Sequence, residues 1–351
     1  MIRQASMSTR YVVKLGDTLS KIALAHHLPS YKSIYDDPEN KKFKTKRPNP
    51  NLIFPGDVLM IPSPSVLPDP ITETVVSPSI TRALELVYAF AKKQRTVENS
   101  RGCFVTSQGE FSRLHRATIA TELAERVMDP TKINQGHVDV CVPAALAYNI
   151  AKTRPEDYVK AVTGLFDNGQ TTLGKWNLTP NEDLKRYAIP KDAEIAEADW
   201  IIMASVRDSE NWFFDYSSVK DSGGTSDGEY KDMLSKAGFM DIQDDNNNLI
   251  HKDADNLKKA DELYSKHYQV AIRIDAAALG NPPKFISRSN HRVVLASNVR
   301  ANFSTPSSPV SMDVFTWGGK RALPSDSDGA PVVMTLEKFL NFYYGYTAAK
   351  Y

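Results

Sequence analysis

The chain has 351 residues, 41% of them hydrophobic and 24% charged, and its 43 Lys and Arg stand against 42 Asp and Glu for a formal charge of +1. That size suits two or three domains, and the even balance gives no overall pull toward nucleic acid or an anionic membrane. No apolar run reaches the roughly 18 residues needed to cross a bilayer. The start, "MIRQASMSTRYVVKLGD", lacks the apolar centre of a secretory signal, so the expectation is a chain made in the cytoplasm without a signal peptide. The two cysteines, Cys103 and Cys141, leave one pairing open but cannot staple a fold together.

In chain order, Tyr11 to Lys14 reads as a short strand, Gly16-Asp17 as a turn, and Asp17 or Thr18 as the cap of a helix with Leu19, Ile22 and Ala23 on one face. Pro55-Gly56-Asp57 marks a second turn before the apolar strand Val58 to Ile61, and a second short helix lies between. The stretches "GDTLSKIA" and "NPNLIFPGDVLMIP" resemble the LysM module, a small βααβ carbohydrate-binding domain, over residues 9–63. The charged insert "DDPENKKFKTKR" makes it longer than a minimal module. The resemblance implies that N-acetylglucosamine glycans such as peptidoglycan lie near Gly16, Asp17, Thr18, Leu19, Asn51, Leu52, Ile53 and Pro55. Docking to a secretion-spike protein is the alternative.

Residues 64–80 are rich in Pro, Ser and Thr and read as a linker stiffened toward polyproline geometry. Residues 81–351 then change character along their length. The first part is helical: Leu84, Val87, Tyr88 and Ala91 make one stripe, "RLHRATIATELAERVMD" another, and "CVPAALAYNIAK" and "RPEDYVKAVTGLFDNG" two more helices, the last with Pro155 at its start and Gly169 at its end. Beyond them "ADWIIMASVR", "YQVAIRID", "HRVVLASNV" and "SMDVFTWGG" read as strands, with "DIQDDNNNLIHKDADN" as an exposed loop and "SGGTSDGEY" as a flexible loop near the cleft. Helices first and an antiparallel sheet second make an α+β domain.

Thiol catalysis needs a thiolate, a base and a donor for the developing oxyanion. Cys141 stands where a helix begins, Gln135 lies six residues upstream across a Gly turn, and His291 is the best candidate base; His137 is a local rival. The combination of "NQG", four residues and Cys141, followed by "NHRVVLASNV" and "FTWGG", resembles the papain-like cysteine peptidases. It implies Cys141 as nucleophile, His291 as base and Gln135 as oxyanion donor. The family's imidazole-orienting Asn falls on Phe315, so Asp313, or a Cys-His dyad without a third member, is expected instead; Thr316, Trp317 and Gly318 supply the closing turn. No cofactor and no metal are expected, because the remaining histidines show no ligand spacing with cysteine.

The expected function is therefore cysteine hydrolysis of an amide in peptidoglycan peptide stems or in a target-cell protein. The chain also resembles bacterial secretion effectors of the type VI kind, which implies delivery into a target cell, antibacterial toxicity and a cognate immunity protein. The alternative is a LysM-anchored structural module of a secretion apparatus whose papain-like domain is inactive.

Overall fold

The computed structural model describes residues 8–14, 17–26, 28, 31–48, 50, 53–62, 77–93, 95–98, 104–107, 109–138, 140–210, 227–247, 250–280, 291–316 and 318–351. The fold is mixed α+β, in two compact units, Met1–Val75 and Val76–Tyr351.

In the first unit, strand β1 (Thr9–Val12) pairs antiparallel with β2 (Val58–Ile61), Val12 opposite Val58. Between them run α1 (Leu19–Ala25), α2 (Lys32–Tyr35) and, after a 3-10 turn at Pro38–Asn40, α3 (Lys41–Lys46). The charged insert is thus helical, and the single second helix expected from the sequence is three helical pieces. Thr18 caps α1, its Oγ1 accepting from the Lys21 N–H at 3.2 Å. Leu19, Ile22, Ala23, Ile34, Leu59 and Ile61 form the core. Two buried polar residues hold this small unit. Asn40 donates to the carbonyls of Ile34 (2.8 Å) and Met60 (2.6 Å) and accepts from the Met60 N–H (2.8 Å). Asp57 accepts from Lys46 (3.0 Å), from Arg47 Nε (2.9 Å) and from the Phe54 N–H (3.0 Å), and the Arg47 guanidinium holds its carboxyl well below the usual carboxylate range.

The second unit begins with α4 (Pro78–Lys92), whose first turn occupies the end of the expected linker. There follow β3 (Arg95–Glu98), β4 (Phe104–Ser107), α5 (Arg116–Met128), α6 (Cys141–Thr153), α7 (Pro155–Asn168), β5 (Thr171–Leu173), β6 (Trp176–Leu178), α8 (Glu182–Arg186), α9 (Glu197–Glu210) and α10 (Asp227–Lys236). Then come β7 (Met240–Asn246), α11 (Ala254–Ser265), β8 (Gln269–Ile274), β9 (His291–Leu295), β10 (Pro309–Val310), β11 (Met312–Thr316), β12 (Gly319–Leu323), β13 (Met334–Thr335), α12 (Leu336–Leu340) and β14 (Tyr343–Lys350). Six strands form one antiparallel sheet in the order β12-β11-β9-β8-β14-β7.

The sheet is covered on both faces, and its side chains divide between two cores by the twofold alternation of a strand. Ala271, Val294, Phe315 and Ala349 join the helical core of α4, α5, α6, α7 and α9. Their neighbours Val270, Ile272, Val293, Leu295, Val314 and Ala348 join Leu257 and Leu263 of α11 and Phe339 of α12 on the opposite side. Helix α6 lies inside the stack, buried from Val142 to Ala151 without a break. Pro155 opens α7 and Gly169 ends it at φ 67°, the left-handed position that favours glycine. Among the described residues no helix is long and apolar enough to cross a membrane.

Four local expectations are corrected. "ADWIIMASVR" is part of helix α9, buried at every position from Ala198 to Arg207, so no polar face remains to mark its period. "DIQDDNN" is mostly strand β7 rather than loop; it pairs only with β14 at the sheet edge, where its acids reach Lys231 and solvent. In "SGGTSDGEY", residues 227–230 open α10 and Tyr230 is buried, while 222–226 lie outside the described residues. The buried stripe of α4 is Ala83, Val87 and Phe90, and Tyr88 is 51% exposed.

Candidate active site

The site is built where the start of α6 meets the first residue of β9 and the last of β11. Residues 134–138 form a tight turn: the Asn134 side chain accepts from the Gly136 N–H at 2.8 Å, and Gly136, at φ 57°, sits so close to the Ala193 carbonyl that a Cβ there would lie 2.2 Å from it. His137 N–H donates to the same Ala193 carbonyl at 2.6 Å. Beneath the turn lies an ion pair between α5 and α9. Arg126 Nε and Nη2 donate to the two carboxylate oxygens of Asp199 at 2.7 and 2.6 Å, and Asp199 Oδ2 also accepts from the Asn134 N–H at 3.0 Å. Asp199 is fully buried and Arg126 nearly so. Burial pushes the Asp199 carboxyl up, but the two-pronged guanidinium contact and the backbone N–H are those of an ionised pair.

After the turn the chain enters α6 at once. Cys141, half-buried, is its first residue, so its sulfur lies at the positive end of the helix dipole. Gln135 is 1% exposed, and its amide donates one N–H to the Val138 carbonyl at 3.1 Å. A primary amide has a second N–H to offer.

The opposite wall comes from the sheet. Phe315 of β11 stacks on Tyr148 of α6 with ring centroids 4.1 Å apart and planes 6° from parallel, which ties the strand to the cysteine helix. The turn after β11 is pinned as well: Gly318, at φ 85°, lies against Asn134, and a Cβ there would fall 2.2 Å from that side chain. His291, the first residue of β9, is 3% exposed, and its Nε2 lies 2.6 Å from Thr316 Oγ1. Gln135, Cys141, Ala144, Ala145, His291, Arg292, Phe315 and Thr316 together line one small pocket.

The structure thus brings Cys141, His291 and Gln135 together and leaves Asp313 elsewhere. Asp313 shares a strand face with Phe315, opposite to Thr316, and its carboxylate lies 3.2 Å from Lys320 and 3.9 Å from Arg300 with no hydrogen bond to His291. The group the sequence reading missed as a partner of the imidazole is Thr316. Its position could be found only from the β9–β11 register, which the long connection between these strands hides. His137 is exposed and turned to the Asp192 carbonyl, 2.8 Å from its Nδ1. Cys103, Asp139 and Trp317 lie outside the described residues.

Burial, with the Arg292 guanidinium next in line, pushes His291 down to about 3, which favours the neutral imidazole. A histidine lowered from 6.5 takes up more protons unfolded than folded between those two values, so its contribution to stability is complete above about pH 6.5 and is lost as pH falls toward 3. Acidification from pH 7.5 to 4 is expected to cost roughly 3 kcal/mol through this group. Chemical denaturation at both pH values, in wild type and His291→Gln, checks it: the variant should lose that much less.

Of the residues placed near a sugar by the sequence, Gly16, Asn51 and Leu52 lie outside the described residues. Leu19 is a core residue at 2% exposure and keeps its side chain from any ligand. Asp17 accepts from the Tyr11 hydroxyl (2.8 Å) and the Lys14 N–H (2.7 Å). Thr18 and Pro55 are exposed, and Ile53 is half-buried.

Comparison with known families finds a LysM domain at residues 11–32, the stretch that runs from β1 through α1 to the start of α2. LysM domains bind N-acetylglucosamine glycans such as peptidoglycan. No curated protein and no solved structure matches the chain.

Proposed function

We propose that the second unit is a papain-like cysteine hydrolase that cuts an amide bond, carried to its substrate by the LysM domain. One observation supports this above the others: a half-buried cysteine at a helix start, the buried glutamine amide of the turn before it and a buried histidine far along the chain line a single pocket. In the attack, the Cys141 S–H gives its proton to His291 as the S–C bond forms, and the carbonyl oxygen takes up charge beside the Gln135 amide. The amine then leaves with the proton from His291, and water cleaves the thioester. The chemistry needs no metal or cofactor.

The LysM domain favours peptidoglycan peptide stems as the substrate, with a protein of the target cell as the second choice. Delivery by a secretion machine and an immunity partner belong to the same proposal. Each amide cleaved exposes one new primary amine, so amine labelling of a peptidoglycan digest tests the activity: a rise with time supports it, and no rise on peptidoglycan or on bacterial lysate protein opposes it. Removing Met1–Val75 is expected to reduce retention on insoluble peptidoglycan while leaving cleavage of a small soluble peptide intact. Unchanged retention opposes glycan binding by the first unit and favours its docking to a delivery protein.

A further inference from the structure

We propose that Thr316 is the residue that positions His291, its hydroxyl accepting the Nε2–H so that Nδ1 carries the lone pair that takes the proton of Cys141. The proposal rests on the hydrolase reading above. Thr316 is 4% exposed, and its Oγ1 lies 2.6 Å from His291 Nε2, a short hydrogen bond whose donor is set by the imidazole tautomer. The side chain is β-branched, and few χ1 settings are open to it in a strand. The strand end that carries it is fixed from two directions, by the Phe315–Tyr148 stack on one side and by the contact of Gly318 with Asn134 on the other. A hydroxyl held in that way defines the plane and the rotation of the imidazole. Asp313, the carboxylate nearest in sequence, faces away and is engaged by Lys320 and Arg300.

The choice of group has a chemical consequence. A carboxylate in this place stabilises the imidazolium by charge, whereas a threonine orients the ring and leaves it neutral. Arg292 lines the same pocket, and its positive charge adds to the burial that disfavours the imidazolium. Thr316 therefore acts through His291 and not on the substrate.

The test uses the full chain with ¹⁵N-labelled histidine and iodoacetamide as the thiol probe, in wild type, Thr316→Val, Thr316→Ser and His291→Ala, each checked for folding by its thermal transition. In wild type the ¹⁵N shifts of His291 should be those of the Nε2–H tautomer. Thr316→Val should mix the tautomers and slow carbamidomethylation of Cys141 about 10-fold or more, and Thr316→Ser should restore the tautomer and bring the rate to within about 3-fold of wild type. An unchanged ¹⁵N pattern in Thr316→Val overturns the positioning role whatever the alkylation rates. A shifted pattern with equal alkylation in wild type and His291→Ala upholds the positioning and overturns the Cys141–His291 pair instead.

Discussion

Replacing Cys141 by Ala, or His291 by Ala, is expected to lower amide hydrolysis by roughly 10⁴- to 10⁶-fold, and the double variant should be little worse than either single one. The reason lies in the pocket. Cys141 and His291 line the same small cavity, and each is useless without the other: a thiol whose base is gone keeps its proton, and a base without a nucleophile has nothing to activate. Groups that act as one unit give losses that do not add. Gln135→Ala should behave differently. It removes one oxyanion donor and leaves nucleophile and base in place, so a loss of about 2.7–4 kcal/mol in the transition state is expected. Rate measurements under kcat/KM conditions on a soluble peptide decide between these patterns, and full additivity of the Cys141 and His291 losses contradicts a shared step.

Asp199→Ala is expected to cost roughly 3–5 kcal/mol of stability, because it strands the Arg126 guanidinium in the interior and removes the acceptor of the Asn134 N–H at one stroke. The effect on activity should exceed what lost stability explains. Asn134 begins the turn that carries Gln135 and leads into Cys141, and the same residue packs against Gly318 in the β11–β12 turn, next to the strand end that carries Thr316. Asp199→Asn keeps an acceptor for the N–H and should recover part of the stability. The pair Arg126→Met with Asp199→Leu should be less destabilised than Asp199→Ala, since no charge is left buried alone. Urea unfolding of the four proteins measures the stabilities, and their rates on a soluble peptide under conditions where each is folded measure the effect on activity.

Much of the frame could be read from the sequence where local chemistry decides the structure. Thr18 caps α1, Val58–Ile61 is a strand after its turn, and Pro155 and Gly169 bracket α7, because caps and turns act over a few residues. Cys141 was expected at a helix start and is the first residue of α6. The readings that failed are those that need the rest of the fold. Trp200, Ile201, Ile202 and Val206 have the composition of a buried strand, and only packing on every side makes that segment a helix. Asp244, Asp245 and Asn246 look like loop and form an edge strand because β14 offers them a partner. The replacement of Asp313 by Thr316 beside His291 follows from strand register, which a one-residue difference inverts and which no local pattern in "MDVFT" records.

The central claim is that Cys141 is the nucleophile of an amide hydrolase, and a side-by-side digest of purified peptidoglycan and bacterial lysate by wild type and Cys141→Ala, read by mass spectrometry, tests it most directly. Wild type should release fragments cut at one kind of amide bond, from one of the two substrates, while Cys141→Ala, with an unchanged thermal transition, should release none. The same fragments appearing at the wild-type rate from Cys141→Ala would contradict the account.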